Sequence, residues 1–291
     1  MFRRLFAPLS VLFLCCTAAV AQQAPPPAPL TFYYDYRVNP GKEEDFMQLV
    51  KTVGAPVRDK LMAEGVILAW GVDVPLLRYP GGTTHMIWFA VENYTGLEKV
   101  LKGMDAQYAK LAADEAKAAA ASPRTKPAMT TMEKIRDVID GTKTRDWLTR
   151  DVVFAATSAP PAPGVLPYTR FSFVKVKPGK GGEYRRAWEK YSKPVVDKLL
   201  ADGTLLAYGL AVEDLKSEGE FTHYTWMATP DLVAMDKAIG AFVSDRQRRS
   251  EEERNTISEL FASLTEPDKS RQMMTRSLIF KVMGQKSVSD R

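Results

Sequence analysis

The segment Val38-Asn39-Pro40-Gly41-Lys42, "VNPGK", returns 138 residues later as Val176-Lys177-Pro178-Gly179-Lys180, "VKPGK". On that offset, 38–90 and 176–228 align without a gap, and 21 of the 53 positions are identical. A match of that density marks an internal duplication. The identities include Pro56-Val57 with Pro194-Val195, Asp59-Lys60-Leu61 with Asp197-Lys198-Leu199, Gly65 with Gly203, and Trp88 with Trp226. The chain's only two histidines, His85 and His223, fall in the same register, each after a threonine. A second match, offset by 126, pairs "TRDWLTRDVVF" from Thr144 with "SRQMMTRSLIF" from Ser270. The first copy therefore carries about twelve extra residues, which the Ala-rich stretch 112–125 accommodates.

Each copy reads as strand, helix, strand, strand, helical stretch, strand. The first strand, "TFYYDYRV" or "YTRFSFVKV", is aromatic and β-branched and ends at the Pro-Gly turn. The next helix is expected over about 43–63 or 182–201, with Phe46, Leu49, Val50 and Val53 at helical spacing, and with a kink or break at Pro56 and Pro194. Strands follow at about 66–74 and 85–91, and the last strands are "DVVFAA" and "SLIFKV". The run 245–255, "DRQRRSEEERN", reads as a solvated helix of alternating charge.

Residues 1–21 place Arg3 and Arg4 ahead of an apolar run that ends at Ala-Val-Ala, the plan of a cleaved secretory signal. The run is shorter than the roughly 20 residues a bilayer span needs. The expected organisation is a signal over 1–21, a Pro-rich leader over 22–30, a first repeat over 31–157, a Pro-rich linker over 158–167, a second repeat over 168–283 and a tail over 284–291. The protein is thus expected to be exported, to the periplasm or the outside, with no stable membrane anchor after cleavage. Both cysteines, Cys15 and Cys16, lie in the signal, so the mature chain has no disulfide and no thiolate chemistry. Loss of Arg3 and Arg4 lowers the formal charge from +5 to +3, a mild balance that does not fit a nucleic-acid partner.

One such unit makes a four-stranded antiparallel sheet with helices on one face and a bare, apolar second face. Two copies cover each other. The strand followed by V-x-P-G-K and an amphipathic helix, inside a βαββαβ unit, resembles the dimeric α+β barrel superfamily, which includes antibiotic-biosynthesis monooxygenase-like and NIPSNAP-like domains. The resemblance implies an α+β fold in which tandem ferredoxin-like repeats form a pseudo-dimeric barrel within one chain. It does not fix the chemistry, because the superfamily hosts cofactor-independent oxygenases and haem enzymes alike.

H-E-x-x-H, P-loop, G-x-S-x-G and G-x-G-x-x-G motifs are absent, and two histidines are too few for a zinc site, so no metal is expected. Strand alternation puts Tyr33, Asp35 and Arg37 on one face, where the second copy has Phe171 and Phe173 at the positions of Tyr33 and Asp35. If that face lines a cavity, Asp35 is a candidate base or anchor, Tyr33 and Arg37 are candidate ligand contacts, and His85 and His223 stand near its mouth. The competing reading pairs Asp35 with Arg37 at a wet edge and has each histidine fix its loop through the adjacent threonine. Three functions stand side by side. The first is binding of a small amphipathic or aromatic molecule in the barrel, with oxygenase-like activity that needs no cofactor as its enzymatic form. The others are a non-enzymatic exported scaffold and a haem-dependent enzyme.

Overall fold

The computed structural model describes residues 28–78, 82–121, 129–158, 161–162, 164–215 and 221–284; the signal segment over 1–21 lies outside them. The first repeat contributes β1 (Leu30–Tyr36), α1 (Glu43–Leu49), α2 (Ala55–Ala63), β2 (Ile67–Pro75), β3 (His85–Val91), α3 (Tyr94–Ala121), α4 (Thr131–Val138) and β4 (Arg145–Ala156). The second contributes β5 (Tyr168–Val176), α5 (Gly181–Tyr191), α6 (Lys193–Ala201), β6 (Ala207–Glu213), β7 (His223–Thr229), α7 (Leu232–Arg248), α8 (Glu251–Leu264) and β8 (Thr265–Val282). Gly41 and Gly179 turn the chain from strand to helix at φ 79° and 78°, which explains the recurring Pro-Gly-Lys.

The eight strands close into one antiparallel barrel in the order β1-β3-β2-β8-β5-β7-β6-β4. Each repeat supplies a 4-1-3-2 sheet, and the seams β2·β8 and β4·β6 join the two. The last strands are longer than their apolar patterns "DVVFAA" and "SLIFKV" suggest, at 12 and 18 residues. The reason is topological: β4 pairs with both β1 and β6, and β8 with both β2 and β5, so each must serve its own sheet and the other's.

In the first repeat the long helix is interrupted by a π-helical turn over Val50–Gly54. Pro56 has no N–H for the carbonyl one turn back, and the Thr52 hydroxyl bonds the Gln48 carbonyl at 2.8 Å. In the second repeat the equivalent break falls at Ser192, before Pro194. The charged run 245–255 is not one helix. α7 ends at Arg248, and Ser250 with Glu253 forms a capping box that starts α8.

Three apolar layers result. Phe46, Leu61, Trp70 and Phe89 pack the helices of the first repeat on its sheet, and Tyr184, Trp188, Leu199 and Tyr208 do the same in the second. Asp59 accepts the Trp70 indole N–H, and Asp197 the Tyr208 hydroxyl, which accounts for the matched Asp-Lys-Leu of α2 and α6. The barrel lumen is filled by Tyr33, Trp147, Phe171, Phe173, Phe221 and Tyr224. Their rings meet edge-on or stacked, as in the Tyr33–Trp147 pair at 3.9 Å, contacts worth about 0.5–1.5 kcal/mol each beyond burial.

Candidate functional site

Tyr33 and Asp35 do share the lumen face of β1. The Tyr33 hydroxyl lies 3.2 Å from that of Tyr224, which lies 2.9 Å from Thr149 Oγ1, so a polar chain crosses the lumen. Burial raises both phenols well above their ordinary range. The lumen expected as a ligand cavity is thus a packed core. Arg37 lies beyond the end of β1, and its guanidinium donates to the Gly82 carbonyl at 2.5 Å, a clamp on the β2–β3 connection.

Asp35 closes one end of the barrel. Its Oδ1 is buried without a hydrogen-bond partner, as is the Trp147 indole nitrogen beside it. Burial pushes the Asp35 carboxyl up to about 6, against the pull of Trp147, Arg145 and Arg271. The expected pairing with Arg37 does not form; the cations that face Asp35 are Arg145 and Arg271, equivalent residues of β4 and β8. Phe221 lies between them, with guanidinium carbons 5.6 and 6.0 Å from its ring centre. The "TRDWLTR"/"SRQMMTR" match carried this pair, but nothing in it told which end of the barrel the arginines close.

The histidines stand on the opposite face of the sheet. His85 pairs with Tyr36 across β1·β3, its ring is 4.7 Å from that of Phe46, and only 2 % of it is exposed. His223 holds the equivalent place against Tyr184, ring to ring at 5.5 Å. Each Nδ1 meets the preceding threonine hydroxyl, at 3.2 Å for Thr84 and 2.9 Å for Thr222. Those hydroxyls in turn accept the backbone N–H of Val38 and Val176 at 2.8 and 2.9 Å, tying β3 and β7 to the Pro-Gly turns. Burial lowers both imidazoles to about 4, so they are neutral at pH 7. The expected grouping of His85 with Asp35 and Tyr33 is corrected, because β-strand alternation puts the sheet between them.

Two further carboxyls lie in the lumen, unnoticed in the sequence. Asp73 accepts from Ser277 Oγ at 2.7 Å and Trp88 Nε1 at 3.2 Å, and Asp151 accepts from Trp226 Nε1 at 2.8 Å. Burial pushes Asp73 up to about 6 and Asp151 to about 7. Each tryptophan crosses a glycine, Gly71 or Gly209, where a Cβ would collide with the indole.

A cavity of about 410 Å³ lies on the other side of the second repeat's sheet, between β5 and β7 and helices α5, α7 and α8. Tyr184, Trp188, Phe242 and Phe261 form its aromatic wall, and Arg170, Ser172 and Thr225 project from the strands. At the three strand positions the first repeat carries Phe32, Tyr34 and Ile87, which pack there as core. Arg170 donates to Gln272 Oε1 at 2.6 Å. A second hollow of about 320 Å³ shares Ser192, Phe242 and Phe261 and opens between Arg246, Arg249 and Arg254. Among the described residues no carboxylate or imidazole lines the inner cavity, and its tyrosine, Tyr184, is pushed up by burial to about 12.

This architecture is that of the dimeric α+β barrel proteins, with both halves in one chain. A candidate monooxygenase of Fusobacterium nucleatum subsp. nucleatum superposes with a TM-score of 0.54 at 13% identity, over 89% of this chain and 97% of that one. A candidate monooxygenase of Lactobacillus acidophilus gives 0.54 at 10% identity, over 88% and 97%. No protein-family model matches the sequence, and no curated protein resembles it significantly. At such identities the likeness is one of fold.

Proposed function

We propose that this protein is an exported binder of a small amphipathic molecule with an aromatic or otherwise flat apolar body, held in the cavity of the second repeat. One observation carries the reading: at three strand positions where the copies differ, Phe32/Arg170, Tyr34/Ser172 and Ile87/Thr225, the second repeat's residues line the cavity and the first repeat's pack as core. A folding constraint applies to both copies, whereas a binding wall is needed once. Aromatic walls with few placed polar groups are the ordinary make-up of a ligand site. Export rests on the leader over 1–21 and a mature chain without cysteine.

Binding fits the wall better than acid–base catalysis, because no residue on it titrates near neutrality. An oxygenase-like reaction there would need a substrate acidic enough to ionise without help. The haem alternative finds no histidine on this wall, and both imidazoles are engaged at Nδ1 and packed against Phe46 or Tyr184. A second site is favoured by one observation, the buried and unpaired Asp35 Oδ1 and Trp147 Nε1 at the arginine-flanked barrel end. A thermal-shift screen of aromatic acids, phenols and neutral analogues tests the main reading, since a specific ligand raises the melting temperature by mass action. A hit whose shift disappears in Thr225→Ile supports the cavity; a screen without hits returns the scaffold reading.

A further inference from the structure

The charged run 245–255 sets four arginines, Arg246, Arg248, Arg249 and Arg254, against four carboxylates. Its local pattern is that of a solvated face, but the break between α7 and α8 folds it back. Arg246 and Arg249 from the end of α7 and Arg254 from α8 then line one hollow of about 320 Å³. The carboxylates do not follow them. Glu251 and Glu252 are exposed, and Glu253 accepts the Ser250 N–H of the capping box at 3.1 Å. Among the described residues Asp245 is the one acid on the wall of the hollow.

The three lining arginines differ in what holds them. Arg249 donates twice to Asp245, at 2.7 and 3.0 Å, and its guanidinium carbon lies 5.5 Å from the centre of the Tyr191 ring. It therefore neutralises the acid and braces the end of α7 against α5. Arg254 gives Nη1 to the Arg249 carbonyl at 2.8 Å, which anchors its guanidinium, but it pairs with no carboxylate among the described residues. Arg246 makes neither an ion pair nor a side-chain hydrogen bond with a described residue. Two guanidinium charges thus face the hollow with no counter-ion among the described residues.

The hollow shares Ser192, Phe242 and Phe261 with the aromatic cavity of about 410 Å³. The Ser192 hydroxyl, at the break between α5 and α6, is bonded to no described residue. From the inner space to the outer, the lining changes from aromatic rings to guanidinium groups. An apolar body gains from the first alone, whereas a carboxylate gains charge-assisted bonds, often two at once, from the second.

We propose that the molecule bound by the second repeat is an amphipathic carboxylate, with its apolar body in the aromatic cavity and its carboxylate held by Arg246 and Arg254. This rests on the cavity reading above and adds the charge and shape of the ligand. Because the two arginines line only the outer hollow, the carboxylate stands off the buried body on a tether that passes Ser192.

The test is isothermal titration of the purified protein with phenylacetate, phenylbutyrate, phenylhexanoate and phenyloctanoate, with their primary amides, and with decanoate. At least one phenylalkanoate should bind, with an affinity that falls as salt is raised, and its amide should bind about tenfold more weakly. Arg246→Gln and Arg254→Gln should each remove most of this preference for acid over amide and leave amide affinity unchanged. Amide affinity also reports whether the Arg254 variant, which loses its bond to the Arg249 carbonyl, keeps the fold. Thr225→Ile should weaken acid and amide alike. Within that result, decanoate binding extends the class to fatty acids, and its failure confines the class to aryl acids. Equal affinity for acid and amide, or a preference that survives in both arginine variants, overturns the carboxylate assignment; the cavity reading stands if Thr225→Ile still weakens binding. Absence of binding throughout, or binding that Thr225→Ile leaves intact, overturns both.

Discussion

Asp73 and Asp151 occupy the same cross-strand pair of the duplicated barrel, but from opposite members of it. Asp73 on β2 faces Ser277 on β8, and Asp151 on β4 faces Ala211 on β6. The repeat offsets make Ala211 the counterpart of Asp73 and Ser277 the counterpart of Asp151. Each seam between the repeats thus holds one carboxyl beneath one tryptophan N–H, supplied by whichever strand carries it. The shared requirement is an acceptor for Trp88 or Trp226, since an indole N–H buried without a partner costs about 1–3 kcal/mol.

Because both carboxyls are pushed up by burial, the folded state holds protons that the unfolded state has released. Their contribution to stability is fully present below pH about 4, is lost as pH rises, and levels off above about 6 for Asp73 and 7 for Asp151. Asp151→Asn keeps an acceptor for Trp226 and removes the titration. It should therefore stabilise the protein at pH 8, by an amount on the order of 2–4 kcal/mol, with no gain at pH 4. Denaturant unfolding at the two pH values checks this.

The histidines act with the opposite sign. Their folded values near 4 lie below the unfolded value near 6.5, so stability is lost as pH falls through that window. His85→Ala should flatten the acid side of the profile and lower stability at pH 7 by about 1–3 kcal/mol through the lost contact with Thr84. Ligand affinity should remain unchanged, because His85 lines neither the cavity nor the lumen. Calorimetry between pH 4 and 7 with a binding titration at pH 7 separates the two effects.

Filling the second-repeat cavity with the first repeat's side chains should abolish binding without unfolding the protein. Thr225→Ile adds apolar volume where the barrel already tolerates Ile87, so its melting temperature should stay level or rise. Ligand affinity should fall at least tenfold, about 1.4 kcal/mol. Isothermal titration with the best compound of the screen provides the measurement.

Asp35→Asn distinguishes the barrel end from the cavity. If the ligand sits in the cavity, this substitution leaves affinity unchanged and raises stability at pH 8, as it removes a carboxylate whose burial opposes its ionisation. Loss of affinity in Asp35→Asn with none in Thr225→Ile moves the site to Asp35, Trp147, Arg145 and Arg271.

Much of this architecture was legible before any coordinates. The offset of the two Pro-Gly-Lys turns marks a duplicated unit, and the alternation in "FYYDYR" separates Tyr33 and Asp35 from Phe32, Tyr34 and Tyr36, as the structure has them. Alternation along β3 puts His85 on one face with Ile87 and Phe89. What it could not supply was that this face meets the helices while the Tyr33 face meets the other sheet, so His85 and Asp35 were expected together and lie apart. β4 and β8 outrun their apolar patterns for a related reason: pairing with a second sheet leaves no mark in a strand's own hydrophobic pattern.

The sequence by itself determined the duplication, the class of each element and the parity of each strand, because all three follow from local periodicity and from comparison of one copy with the other. Only the tertiary structure decided what each face meets. Whether a surface becomes lumen, cavity or helix bed depends on how two twisted sheets close edge to edge, a condition that involves all eight strands at once. That closure fills the lumen with aromatic rings and places Arg145 and Arg271 at the end held by Asp35. None of those neighbours is close in the chain, and their chemistry arises from burial, which a residue acquires only when the strands on either side of it are in place.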